Sequence, residues 1–491
     1  MKVLIISYYN SWVTHFGVEL EIAQTHLDQG DTVEFLGCDR CLGTCEANAK
    51  GRISKCDRCR LRRAGGLRLL SSPPALHLLS DYLPASIAAA ERDLRTSIRD
   101  ASTAENYTFN GHDLGSGALS SAIWNSRDPF CEKDNSLPVL QHYASAAVRS
   151  YLCVRKFLAA RRDFQRVYVF NGRFATTRGA LRACQEVAGL EVVTHERGPN
   201  IRKYGLFFNA MPHDRELWVQ QAHLAWDTAP DREQAILIGS SFFEERRHGR
   251  NVDWTSFTGK QAVGKLPSEW DAQRTNIAIY NSSEDEFVGL GDDWKNPIYA
   301  MQAEGIRRIV TDALTRYPEA MFYLRMHPNL SGVTNRDIEL INALEASGLP
   351  NLVVIRPDSD ISTYSLLDAV DQVITFGSTV GVEATFWGKS SIHAGRSLYE
   401  DLGAAHVARS HEHVLEMIAT RRDPQPKIQA IKYGYYAKTF GHDCKYWQAE
   451  DFSHGQFRGQ SIKCEPGSWL LRRMIVMAMD ILRFAARRRK S

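Results

Sequence analysis

The sequence predicts an α/β protein built from two doubly wound domains. Three observations carry this. The chain has 491 residues, more than a single hydrophobic core usually organises. Its first residues read strand, helix, strand: an apolar run over 2–7, an amphipathic stretch over 16–29 with Leu20, Ala23 and Leu27 on one face, and a second apolar run over 32–37. A second series of short apolar strands, each followed by helix-prone sequence, begins at Asn276-Ile-Ala-Ile-Tyr280 and recurs at 321–325, 352–356 and 373–375.

Composition narrows the function. A hydrophobic fraction of 44% and a charged fraction of 24% are those of an ordinary soluble enzyme. A net charge of +3 gives no whole-molecule field for nucleic acid, and no nucleic-acid partner is expected. Met1-Lys2 leads straight into a strand, so no export signal is expected. No apolar run approaches the roughly 20 residues of a membrane span. Ten cysteines in such a chain point to thiols or a metal, not to a disulfide framework.

In the first domain the loop over 8–15 carries Tyr8, Ser11 and His15, and no G-x-G-x-x-G follows the first strand, so NAD binding has no support. Cys38-x-x-Cys41 and Cys56-x-x-Cys59 have the spacing by which paired thiolates converge on a tetrahedral Zn²⁺, with Cys45 surplus. A structural zinc on Cys38, Cys41, Cys56 and Cys59 is the candidate; uncoordinated or reversibly oxidised thiols are the alternative. The run after Cys56 superficially resembles a fungal binuclear zinc cluster, but the count and order of cysteines do not fit. No metal is expected to be required for catalysis, because no His or carboxylate cluster accompanies the thiols and no Asp-x-Asp stands in the usual place. Further on, a strand over 166–170 ends in Asn171-Gly-Arg173, and one over 191–194 runs into His195-Glu-Arg-Gly198. A carboxylate at a strand's carboxyl end can deprotonate a hydroxyl, so Glu196 is the candidate base and His195 its substitute. The bland alternative pairs Glu196 with Arg197 or Arg202. Arg173 and Arg197 make this edge basic, suited to an anionic ligand or simply to solvent.

Residues 251–271 read as the connection between domains. Beyond it, Asn281, Ser282 and Ser283 follow the first strand of the second domain. The strand Met321-Phe-Tyr-Leu-Arg-Met-His-Pro-Asn329 delivers His327 to a carboxyl end, where Pro328 restricts the chain. In Val373-Ile-Thr-Phe-Gly-Ser-Thr-Val-Gly-Val-Glu383, a strand breaks at Gly377 and resumes as a helix. Ser378 and Thr379 there can cap the helix and meet an anion, and Glu383 can accept from ribose hydroxyls. An ordinary strand–turn–helix would show the same pattern.

The pair Arg-Met-His-Pro and Phe-Gly-Ser-Thr-Val-Gly-Val-Glu-Ala-Thr-Phe-Trp-Gly-Lys resembles the nucleotide-sugar half of GT-B glycosyltransferases. It looks most like the bacterial capsule-polysaccharide and lipopolysaccharide group that includes Kdo transferases and sialyltransferases, and it is also similar to UDP-N-acetylglucosamine 2-epimerases. The likeness covers roughly residues 275–420. It implies two Rossmann-like domains facing across a cleft: 1–265 on the acceptor side, with the Cys-rich insertion at 38–59; 266–430 binding the nucleotide sugar; and 431–491 crossing back. It implies a CMP- or UDP-sugar donor and a cell-surface polysaccharide or lipid-linked glycan as acceptor. Asn281, Ser282, Ser283, His327, Pro328, Ser378, Thr379 and Glu383 would hold the donor. His327 would stabilise departing phosphate, by a hydrogen bond or as imidazolium. Glu196 would be the base, as comparable Asp/Glu-Gly motifs sit at the cleft in the related capsule enzymes. His15, Arg173, His195 and Arg197 would lie on the acceptor side. A sugar-nucleotide epimerase and a non-catalytic zinc-bearing scaffold are the alternatives.

The stretch 469–490 reads as an amphipathic basic helix with Trp, Met, Ile, Leu and Phe on its apolar face. It suits an anionic membrane surface, which would make the protein cytoplasmic and peripheral on the inner face of the cytoplasmic membrane. Packing on the protein body is the alternative.

Overall fold

The computed structural model describes residues 1–250, 261–349, 351–462 and 469–488. The chain forms two compact units: residues 1–126, 134–212 and 441–491 in unit 1, and residues 127–133 and 213–440 in unit 2.

Unit 1 is built on six strands, Lys2–Ser7 (β1), Thr32–Gly37 (β2), Ala75–Leu78 (β3), Arg166–Phe170 (β4), Glu191–Arg197 (β5) and Lys203–Phe208 (β6). A seventh, His442–Asp443, pairs with the edge of β6. The order across the sheet from that edge is β6, β5, β4, β1, β2, β3. All pairs from β5 to β3 are parallel, and β5 and β6 are antiparallel. The helix Val13–Asp28 (α1) covers one face; its Phe16, Leu20 and Ala23 are buried with Val3, Ile5, Val33 and Phe35. α1 begins three residues before the expected start, because no capping side chain marks it and Trp12 serves as N-cap. His15 therefore lies in the first turn of a helix, not in a loop.

Unit 2 holds Thr275–Tyr280 (β7), Ala320–Arg325 (β8), Leu352–Ile355 (β9), Gln372–Thr375 (β10), Ser390–His393 (β11) and His406–Val407 (β12). The order is β12, β11, β10, β7, β8, β9, every pair parallel. Both faces are apolar, as an all-parallel sheet requires: Ile277, Ile279, Phe322 and Ile374 face one cluster, and Ala278, Tyr280, Tyr323 and Val373 the other.

The structure divides the chain earlier than the expected boundary at 265. The helices Arg215–Asp227 and Arg232–Arg247 belong to unit 2, because Trp218, Phe242 and Phe243 pack with Phe386, Tyr399 and Tyr433. Helix Arg232–Arg247 crosses helix Lys427–Thr439 at Gly239 and Gly434, where a Cβ on Gly434 would lie 2.3 Å from the Gly239 carbonyl. Of the expected connection over 251–271, residues 251–260 lie outside the described ones.

After Phe440 the chain rejoins unit 1. Glu21 of α1, itself buried, accepts the backbone N–H groups of Lys445, Tyr446 and Trp447 at 2.7–2.8 Å. The Trp447 ring then lies on Gly17, where a Cβ would come within 2.2 Å of it. Two doubly wound units, with the C-terminal segment returning to the first, form the chain path of the GT-B class.

Candidate functional site

In an open parallel sheet, ligands bind beyond the carboxyl ends of the strands where the strand order reverses. In unit 2 that point lies between β7 and β10. The residues following β7 are Asn281–Ser283, and those following β10 are Phe376–Thr379; β8, on the other side of β7, delivers His327. Gly377 makes the turn possible: its φ is +99°, and a Cβ would stand 2.8 Å from the Arg396 carbonyl.

His327 is held from two sides. Its backbone N–H donates to Asn281 Oδ1 at 2.8 Å, and its Nδ1 accepts from the backbone N–H of Asn329 at 3.2 Å. Burial, then the neighbouring Arg325, Arg127 and Arg246 charges, push the ring's pKa down to about 4. The ring is neutral at physiological pH with its proton on Nε2, so it acts as a hydrogen-bond donor. Of the two expected roles, the direction of this shift favours the hydrogen bond.

Three arginines that the sequence reading passed over surround this group. Arg127 donates to Ser283 Oγ at 2.9 Å and to the Asn329 carbonyl at 3.1 Å, and pairs with Asp285 at 2.8 Å. Arg325 is buried and donates to the carbonyls of Met326, Arg356 and Ser359. Arg246 lies 3.4 Å from Thr379 Oγ1 and 3.4 Å from Glu383 Oε1. Arg325 stands inside the His-Pro strand and was legible as a cation there. Arg127 and Arg246 sit in irregular sequence and in a remote helix, with no local signal.

The remaining predicted donor residues have distinct places. Ser283 ties Arg127 to Asp285. Ser282 is buried, donating to the Phe376 carbonyl at 2.6 Å and receiving Gln302, so it joins β7 to β10. Pro328 opens the single turn Pro328–Leu330. Ser378 Oγ accepts the Val380 N–H at 3.3 Å, whereas Thr379 makes no cap. The helix behind them, Val380–Phe386, has only seven residues, so charge at this point comes mainly from arginines rather than from a helix dipole. Glu383 is buried; Oε2 accepts from Tyr364 at 2.5 Å and Oε1 from Thr379 at 3.1 Å. It positions Thr379 and Arg246.

In unit 1 the strand order reverses between β1 and β4. Glu196, at the end of β5, accepts from Asn171 Nδ2 at 2.5 Å and from the Arg197 N–H at 2.9 Å. Asn171 adopts φ +56° in the tight turn after β4. His15 Nδ1 is 3.8 Å and Arg197 Nε 3.7 Å from Glu196 Oε1. Burial, then Arg197, hold His15 well below its ordinary pKa. Beside this group, Trp12 lies 5.4 Å from Trp124, which is 40% exposed, and Trp124 lies 5.7 Å from Phe174. This aromatic surface was not foreseen.

Two expected acceptor residues are turned inward. His195 is fully buried, neither ring nitrogen has a hydrogen-bond partner among the described residues, and burial pushes its pKa down to about 3. Arg173 is buried with Nε on Ser120 Oγ at 2.7 Å. Tyr8, expected in a loop, is buried against Ser150 at 3.0 Å. Each follows from its element: strand and turn side chains alternate, and the inward places face the helices packed on the sheet.

Cys45, Cys56 and Cys59 all lie within electrostatic reach of Cys38. Cys41 has Cys153, which the spacing argument did not include, as well as Cys38 beside it. Cys56 Sγ accepts from Asn48 at 3.2 Å, and Cys59 faces the Tyr8 carbonyl at 3.6 Å. Among the described residues no group of three or more His, Cys, Asp or Glu is placed to hold a metal ion. A structural zinc on Cys38, Cys41, Cys56 and Cys59 stays a proposal, which elemental analysis of the purified protein tests.

Residues 284–439 match the family described as capsule polysaccharide biosynthesis protein. The segment contains His327, Ser378, Thr379 and Glu383, and it overlaps the stretch on which the capsule-enzyme resemblance rests. The chain matches none of the curated proteins. Among solved structures, Thermosulfurimonas dismutans KpsC, beta Kdo 2,4 transferase, is 16% identical, over 55% of this chain and 78% of that one, with a TM-score of 0.35. UDP-GlcNAc 2-epimerase from Neisseria meningitidis, bound to UDP-GlcNAc, is 11% identical over 89% and 97%, with a TM-score of 0.30. A glycosyltransferase from Rickettsia africae is 9% identical over 89% and 94%, with a TM-score of 0.29. Likenesses this distant say nothing of chemistry.

Proposed function

We propose that this protein is a glycosyltransferase of capsule-type polysaccharide synthesis, taking a nucleotide-activated sugar at unit 2 and a glycan hydroxyl at unit 1. The observation that carries the reading is the cationic frame of Arg127, Arg246 and Arg325 about a neutral His327. Such a frame suits a phosphate whose charge grows as the sugar departs. The bond from the sugar's anomeric carbon to phosphate oxygen breaks, and the arginines and the His327 Nε2–H receive the developing charge. The acceptor oxygen forms the new bond and passes its proton to Glu196, whose carboxylate Asn171 and the Arg197 N–H hold in place. The exposed Trp124, backed by the half-buried Trp12 and the buried Phe174, offers an apolar face to a sugar ring.

A thermal-shift screen with CMP, UDP, GDP and their sugars tests the donor. A ligand present at 100 times its Kd adds about 2.7 kcal/mol to unfolding. One nucleotide class should raise the melting temperature, and His327→Ala should remove most of that rise. No response to any nucleotide would overturn the donor assignment. Consumption of donor without an acceptor, with an altered sugar retained on the nucleotide, would replace transfer by epimerisation.

A further inference from the structure

The C-terminal helix, Trp469–Arg488, lies on the helix Ile53–Leu67 (α2) with its amphipathic character reversed. An ordinary surface helix turns its apolar stripe to the protein. Here the polar edge is the attached one. Asp480 receives Arg60, with Nη1 at 3.2 Å, and Arg473 Nη1 stands 3.4 Å from Asp57 Oδ1. Between these crossed pairs Val476 is fully buried.

The apolar side faces out. Leu470, Leu471, Met474, Met477, Ile481 and Leu482 are 46–70% exposed. At 100° per residue they fall, with Ile475 and Ala478, in an arc of about 160°. A continuous stripe of this kind exceeds the scattered apolar residues that a monomer's surface tolerates. On α2 itself Arg52, Lys55 and Arg58 are exposed beside Ile53. The sequence from 469 to 490 carries seven cations against one acid, Asp480, which is already paired with Arg60.

We propose that this face docks unit 1 on an anionic lipid bilayer, the helix lying in the plane of the headgroups with its Leu, Met and Ile side chains among the upper acyl chains. Charge selects this occupant. A second copy of the chain would bring two strongly cationic segments together, whereas an anionic surface neutralises them at about 1 kcal/mol per Lys or Arg. Among the described residues no helix is long and apolar enough to cross a membrane, so the helix rests on the surface. The inference stands apart from the donor and acceptor assignments and needs neither ligand for its test.

The test is vesicle flotation of the full chain, with phosphatidylcholine alone and with a phosphatidylglycerol-rich mixture. The protein should float with the anionic vesicles and much less with the neutral ones. Met474→Glu combined with Ile481→Glu should lower the bound fraction about tenfold or more while leaving the thermal midpoint in place, since both side chains are exposed. Leu224→Glu, at an equally exposed leucine of unit 2, should float like the parent. Absence of flotation with both vesicles, or equal flotation of the double variant, would overturn the proposal. So would a parent dimer that the double variant converts to monomer, which would make the face a self-interface.

Discussion

The backbone N–H of Asn329 donates to His327 Nδ1 across 3.2 Å. This one contact settles the tautomer of a neutral ring, with the proton on Nε2. With the pKa pushed down to about 4 by burial and three arginines, the ring carries no charge from pH 6 to 9. Affinity for a nucleotide diphosphate sugar, whose phosphates do not titrate there, should be flat across that range in calorimetry. A decline in affinity centred near pH 6.5 would mean an imidazolium. His327→Gln, which retains an N–H donor, should keep more affinity than His327→Ala.

Acid stability follows from the same sign. His15, His195 and His327 all have folded pKa values below the unfolded value near 6.5. The unfolded chain therefore binds the extra protons, and the stability from keeping the rings neutral is complete above about pH 6.5. It is lost as pH falls toward 4 and then 3. Glu19, raised to about 8 by burial, works in the opposite direction as pH rises from its ordinary range. His195→Phe isolates one histidine: the unfolding free energy from urea titration at pH 7.5 should change by about 1 kcal/mol or less, because no hydrogen bond is lost. Between pH 6.5 and 4 the variant should lose less stability than the parent.

Glu196 and Asn171 give a paired prediction. Glu196→Gln should lower transfer about 100- to 10,000-fold if the carboxylate takes the acceptor proton, with the nucleotide-induced melting shift unchanged. Asn171→Gly keeps the left-handed turn but removes the donor that orients Glu196, so turnover should fall with little loss of stability. Asn171→Ala should cost a further 1 kcal/mol or so, since its φ is +56°. Comparing the two variants separates orientation of the carboxylate from backbone strain.

Arg246 reaches the proposed donor site through Glu383 and Thr379. Arg246→Ala should weaken nucleotide binding by about 10- to 100-fold, the range expected for a charge-assisted contact to phosphate. Glu383→Gln should weaken it less, because Tyr364 and Thr379 still find an acceptor in the amide oxygen. Equal nucleotide affinity in parent and Arg246→Ala would remove this guanidinium from the donor frame.

Gly17 and Trp447 tie the returning C-terminal segment to unit 1. A Cβ at Gly17 would stand 2.2 Å from the Trp447 ring, so Gly17→Ala must displace the indole. A loss of about 1–3 kcal/mol is expected. Protease cleavage near residues 445–460 should become faster. An unchanged cleavage rate would show that the ring yields without releasing the segment.

Much of the turn structure at the proposed donor side was legible because its signals are local. Gly377, Ser378 and Thr379 mark a strand breaking into a helix, and Pro328 restricts the backbone just after His327; both are backbone properties written in adjacent residues. The alternation of apolar runs with helices exposed the doubly wound pattern for the same reason. The arginine frame was hidden because it joins the irregular segment at 127, the strand at 325 and the helix at 246, and sequence carries no pairwise distance. The cysteine spacing is only part of a site: two residues between thiols permit convergence, and neighbours such as Asn48 at Cys56 help decide where each thiol turns.

By itself, then, the sequence determined the alternation of strand and helix in both doubly wound halves, the turn chemistry at β8 and β10, and the amphipathic period of the last helix, since each depends on neighbours a few residues apart. Tertiary structure alone decided which face of that helix meets the protein, that helices over 213–250 serve the second unit, and that His195 and Arg173 are buried while Glu196 is held by Asn171. These depend on packing between residues distant along the chain, where the burial of a large surface overrides what any short stretch prefers.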